Sequence, residues 1–169
     1  MLTKALSASL AAVLVASAAL ADKDRIVFPA DYKTKMQNYV SLDRTQNEDQ
    51  MIRLFAPKAA LDAAKSGAEL PDGTVLVAEI YKTKKDKDGK VIKSSLGRRI
   101  RDKFAAIAVM QKEKGWGEKF PEALRNGDWD FAIFNPKGER LVDKDLNSCR
   151  GCHAPLKDTQ HLFSLEHMK

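Results

Sequence analysis

Between Thr74 and Tyr81 the chain alternates as a strand does. Leu76, Ala78 and Ile80 fall on one face, and Val75, Val77, Glu79 and Tyr81 on the other. The β-branched residues Thr74, Val75, Val77 and Ile80 follow the turn Pro71-Asp72-Gly73, which marks where this strand begins. Met51 to Phe55 predicts a second strand, stopped by Ala56-Pro57. Pro57 to Ser66 predicts a short helix, because proline stands at its start, the interior is rich in alanine, and Gly67 follows its end. Phe104 to Met110 and Trp129 to Phe134 are further strands, the latter closed by Asn135-Pro136-Lys137-Gly138. Asp88-Gly89 predicts a hairpin that returns onto Lys90-Val91-Ile92-Lys93. From Asp22 to Asp49 the sequence is polar and irregular, which predicts a partly ordered lead-in with a short helix over 31–40.

Several strands with short helices between them define an α+β domain dominated by antiparallel sheet. A four-helix bundle is excluded, since no long segment has a period of 3.6. No internal repeat or low-complexity block appears.

The first residues stand apart from this domain. Lys4 is followed by the uncharged run Ala5 to Leu20, and Ala19-Leu20-Ala21 has the small residues of a cleavage site. The reading is a secretory signal peptide over 1–21, cleaved after Ala21, ahead of a single domain over 22–169. The expected location is the periplasm. The apolar run is shorter than the roughly 20 residues a membrane-spanning helix needs, so an integral membrane protein is not expected.

The 169 residues carry 29 Lys and Arg against 23 Asp and Glu, a formal net charge of +6. The basic residues are densest from Lys82 to Lys93 and from Arg98 to Lys103, with Asp86, Asp88 and Asp102 among them and no aromatic residues interleaved for base stacking. That pattern describes a solvated basic face rather than a nucleic-acid site, and one suited to an acidic redox protein partner.

Both cysteines of the chain fall in Cys149-Arg150-Gly151-Cys152-His153. CxxCH is the attachment pattern of c-type haem. On one helical turn, cysteines three apart share a side and can form thioethers to the two porphyrin vinyl groups, and His153 is placed to offer an imidazole nitrogen to the iron. Three other chemistries use part of the motif. A zinc site would need His161 or His167 to complete its shell, a thioredoxin-like redox pair normally lies early in its fold, and a structural disulfide leaves His153 without a task. Covalent haem employs all three residues and agrees with an export signal.

A small electron-transfer cytochrome usually carries its motif near the N-terminus and a methionine ligand well downstream. Here Met168 is the only downstream methionine, in a tail expected to fray. Met36, Met51, Met110, His161 and His167 could return in space, but each has an ordinary packing or surface role available. The sixth iron position is expected to be free or water-filled.

The order Met51-Ile-Arg-Leu-Phe55, Leu70-Pro-Asp-Gly-Thr-Val-Leu-Val-Ala-Glu-Ile-Tyr81, Trp129-Asp-Phe-Ala-Ile-Phe134, then Cys149-Arg-Gly-Cys-His153 and 158–163, resembles the cytochrome P-460 and cytochrome c′-beta family over nearly all of residues 22–169. The resemblance implies a mostly β homodimer with one haem c per chain. It also implies a choice between two branches. In the P-460 branch a lysine of the central strand is cross-linked to the porphyrin, and the protein is an enzyme that oxidises hydroxylamine. In the c′-beta branch an apolar pocket binds nitric oxide or carbon monoxide. The cross-linking lysine aligns with Ala78, and the Phe104 to Met110 strand lacks the acid of the P-460 branch. Both departures point to a gas-binding cytochrome, with Ala78 and Phe55 expected to wall the pocket.

Overall fold

The computed structural model describes residues 25–169; the expected leader, 1–21, lies outside the described residues. Five strands form one antiparallel sheet in the order in which they occur along the chain: β1 (Gln37–Asp43), β2 (Gln50–Ala56), β3 (Val75–Thr83), β4 (Arg101–Lys112) and β5 (Trp129–Phe134). Among the described residues three short α-helices accompany it: α1 (Tyr32–Lys35), α2 (Lys58–Lys65) and α3 (Leu146–His153). The α+β class, the antiparallel sheet and the C-terminal helix are therefore as expected. Among the described residues no helix is long and apolar enough to cross a membrane.

The register of the three central strands decides which side chains share a face. Leu54 stands opposite Ala78, and Ala78 opposite Ala108, while Phe55, Val77 and Val109 form the next row. Because side chains alternate, these two rows face opposite ways. The Val77 face is filled: Phe55, Val77, Ile107, Val109, Ala132 and Phe134 pack with Ile26 and Tyr32, all buried. On the Ala78 face one end is filled in the same way. There Leu76 and Trp129 meet Ala60, Leu61 and Ala64 of α2 and Leu162, Leu165 and Met168 of the C-terminal segment. The middle of that face is different, since Ile52, Leu54, Ala78, Ile80, Ala106, Ala108 and Ile133 all remain partly exposed.

Four local expectations are corrected. The lead-in is not loose, for Ile26 and Tyr32 are core residues and β1 pairs along β2. The helix expected over 31–40 covers only Tyr32–Lys35, because from Gln37 the backbone is recruited as a strand by its neighbour. The hairpin onto 90–93 is reduced to single bridges, Lys85 to Val91 and Lys93 to Arg99. The Asp86 carboxylate caps this turn by accepting from the Asp88 and Lys90 amides, and β4 takes the place beside β3. Met168, expected in a frayed tail, is buried in the core.

Glu79 is fully buried on the filled face. Its carboxylate accepts from Tyr32 Oη at 2.7 Å, Tyr81 Oη at 3.0 Å and Arg53 Nη1 at 3.1 Å. Burial and the neighbouring carboxylate both push the Tyr32 phenol far above its ordinary pKa, so it remains a donor to Glu79.

Candidate functional site

Helix α3 carries the chemical motif. The Asp145 side chain caps its N-terminus by accepting from the Asn147 amide at 2.9 Å. Cys149 and Cys152 are free thiols on adjacent turns of one side, Cys149 half-buried and Cys152 exposed. Burial raises the Cys149 pKa, and the positive charges of Arg150 and Arg44 oppose that rise. Between the two cysteines, Arg150 turns the other way and binds Asp130 of β5 with Nε at 3.1 Å and Nη2 at 2.6 Å. This contact fixes the helix against the edge strand. Asp130 also receives Arg25 at 2.6 Å, so one carboxylate joins the lead-in, the sheet and α3.

His153 is packed between two aromatic rings. Phe131, on the Ala78 face of β5, lies 5.0 Å away centroid to centroid, and Phe163 meets the imidazole edge-on at 5.0 Å. Burial lowers the His153 pKa, which favours the neutral ring able to offer a lone pair to a metal. His153 Nδ1 lies 2.7 Å from the His161 carbonyl. A carbonyl only accepts, so Nδ1 carries the proton and Nε2 is left for a metal. Phe163 is 51% exposed, although it packs against the half-buried His153 ring. Phe163 and Phe131 thus present apolar rings to a metal-competent imidazole on the helix that carries both thiols, and Phe131 shares its sheet face with the half-exposed strip around Ala78. That donor set and that surface fit a covalently attached haem.

Cys149, Cys152 and His153 are thus together on α3, and Ala78 lies on the sheet face against which His153 packs. Phe55 does not. It is opposite Val77, packs edge-on against Tyr32 with centroids 5.2 Å apart, and belongs to the other face, so it shares no wall with Ala78. The reason is the register: Leu54, not Phe55, is the neighbour of Ala78. Among the residues considered as further ligands, Met36 packs into the Phe55 cluster and Met168 into the α2 cluster. Met110 is on the Ala78 face but packs towards α2. His161 is in contact with His153, its Nδ1 being 3.2 Å from the His153 carbonyl. Among the described residues no three of His, Cys, Asp or Glu come together as a metal shell.

The family model for cytochrome P460 matches residues 29–164. The chain belongs to the cytochrome P460 family. No curated protein is found to match it. Membership of the cytochrome P460 family identifies a c-type haem protein. Four participants were not legible in the sequence: Phe131 and Phe163 around the imidazole, the His161 carbonyl behind it, and Arg44. The Arg44 guanidinium is held by Gln50 Oε1 at 2.7 Å, and its charge is felt at both Cys149 and His153. Only the alternation of β5 could have singled out Phe131 beforehand; the others depend on chain segments that meet in space.

Proposed function

We propose that this protein is an exported c-type cytochrome with one haem, attached through Cys149 and Cys152 and ligated by His153, and that it binds nitric oxide rather than oxidising hydroxylamine. The observation that carries this reading is the half-open apolar strip around Ala78 on the side of the sheet where His153 lies. Bound haem supplies an iron with a coordination position for a small diatomic ligand. The chain's own part is to orient His153 through the His161 carbonyl and to surround the haem with Leu54, Ala78, Ala108 and Ile133, whose side chains donate no hydrogen bond. Such walls do little for a polarised ligand such as dioxygen, whereas neutral nitric oxide or carbon monoxide needs less help.

The absence of an amine at Ala78 argues against a porphyrin cross-link. Lys82 is on the same face but opposite Gln50, four residues or roughly 13 Å farther along the strand. The strand's one acid, Glu79, is on the opposite face and engaged by Tyr32, Tyr81 and Arg53, so it is not available as a proton acceptor beside the haem. Covalent haem is attached outside the cytoplasm, which agrees with a leader cleaved after Ala21 and a periplasmic location. The basic run from Lys82 to Lys103 suits an acidic redox protein partner, and a homodimer is part of the proposal.

The purified ferrous protein is expected to be high-spin and to bind carbon monoxide and nitric oxide. Its mass is expected to equal apoprotein plus haem, with negligible hydroxylamine turnover. A porphyrin-to-lysine bond in peptide mass spectra together with turnover would reverse the choice of branch. A low-spin resting spectrum that disappears in Met110→Leu would instead favour electron transfer, since Met110 is the methionine on the Ala78 face.

A further inference from the structure

The His161 carbonyl reaches His153 because the backbone does something uncommon just before it. Gln160 (φ 52°, ψ 36°) and His161 (φ 62°) are consecutive left-handed residues, and neither is glycine. For a residue with a Cβ that conformation is strained, so surrounding contacts must hold it. Local hydrogen bonds contribute, with the His161 amide donating to the Leu156 carbonyl at 2.6 Å and the Leu162 amide to the Thr159 carbonyl at 2.9 Å. The longest-range contact is made by the Gln160 side chain. Its Oε1 accepts from the Leu70 amide at 2.8 Å, and its Nε2 donates to the Ala68 carbonyl at 3.2 Å.

These two partners are backbone groups of the loop joining α2 to β3, and that loop is itself pinned. The Ala68 amide donates to the Ala63 carbonyl at the end of α2, and Leu70 is buried in the core. A primary amide is the one side chain of this length that can accept and donate at once. Glutamate keeps only the acceptor and leucine keeps neither.

We propose that Gln160 is a positioning residue for the proximal ligand: by clamping the left-handed turn to the 68–70 loop it holds the His161 carbonyl on His153 Nδ1 and so sets how strongly the imidazole donates to the iron. This rests on the reading of His153 as the haem ligand. Hydrogen bonds from the second nitrogen of a ligating histidine fix its orientation and raise its basicity, and a more basic imidazole favours the ferric state. Loosening the turn in Gln160→Leu is therefore expected to weaken the iron–histidine bond and raise the ferric/ferrous midpoint. An effect of about tenfold on the redox equilibrium corresponds to roughly 59 mV for one electron.

The test uses the haem-loaded protein and two readouts, the iron–histidine stretching band of the ferrous form by resonance Raman and the midpoint potential. Haem content is measured alongside by pyridine haemochrome. Gln160→Leu is expected to retain haem, lower and broaden the band, and shift the potential upward, with Gln160→Glu falling between it and the parent. Gln160→Gly, which removes the clamp and also the left-handed penalty that the clamp offsets, is expected to fall closer to the parent than Gln160→Leu does. If the leucine variant changes neither readout, or if the glycine variant shifts both as far as leucine, the clamp does not act by holding the left-handed turn. Should Gln160→Leu fail to accumulate, Gln160→Glu decides: a glutamate variant identical to the parent in both readouts overturns the proposal. An iron–histidine band missing from the parent, or lost only with a histidine other than His153, would instead overturn the ligand assignment and is recognised as such.

Discussion

Cys149→Ala/Cys152→Ala is expected to lose haem completely on extraction with acidified organic solvent, while the parent retains all of it after denaturation. The thiols are free and lie three residues apart on α3, next to His153, so each can add across one vinyl group. Either bond alone keeps the haem on the chain, and the single variants are therefore expected to resist extraction. They differ from the parent in the pyridine haemochrome spectrum, whose α band moves to the red when one vinyl remains conjugated. His153→Ala is expected to keep the covalent haem but lose the native ferrous spectrum, because attachment and ligation are separate tasks. Equal retention of haem by the double variant and the parent would rule out attachment at these cysteines.

Asp130→Ala is expected to cost about 3–5 kcal/mol of stability, the range for removing one member of a buried ion group. The Asp130 side chain is 2% exposed and those of Arg25 and Arg150 are each 11% exposed. One carboxylate oxygen serves each guanidinium, and the two cations lie over the Trp116 and Phe120 rings at 4.1 and 4.3 Å. Without the carboxylate, two largely desolvated positive charges lose their common counter-charge and repel each other. A loss of that size is a large fraction of the roughly 5–15 kcal/mol that holds a typical domain together. Denaturant titration measures it, and Asp130→Asn, which keeps one acceptor, is expected to fall between. Hydrogen exchange adds a second readout: amides of 146–153 are expected to lose protection first, because Arg150 ties α3 to the sheet. A loss below 1 kcal/mol with unchanged exchange would show that the group holds neither the fold nor the helix.

What the sequence determined by itself was local. Strands β2, β3, β4 and β5 could be read from alternation and bulky β-branched or aromatic residues, α2 from its proline and glycine boundaries, and the CxxCH motif from three residues on one helical turn. Each of these signals is complete within a dozen residues. Tertiary structure decided the rest, because it depends on which distant residues become neighbours. Alternation within β2 separates Leu54 from Phe55, but only the pairing of Leu54 with Ala78 tells which of them faces the site, and a shift of one residue would exchange them. The polar stretch 37–43 carries little strand signal of its own and becomes β1 because β2 offers it a ladder. Nothing in Gln160-His161 announces two left-handed residues; that turn exists because an amide can bridge to a loop 90 positions earlier in the chain. The CxxCH motif was thus written in the sequence, while the carbonyl that orients His153 and the apolar face on its side of the sheet arise only when the chain closes on itself.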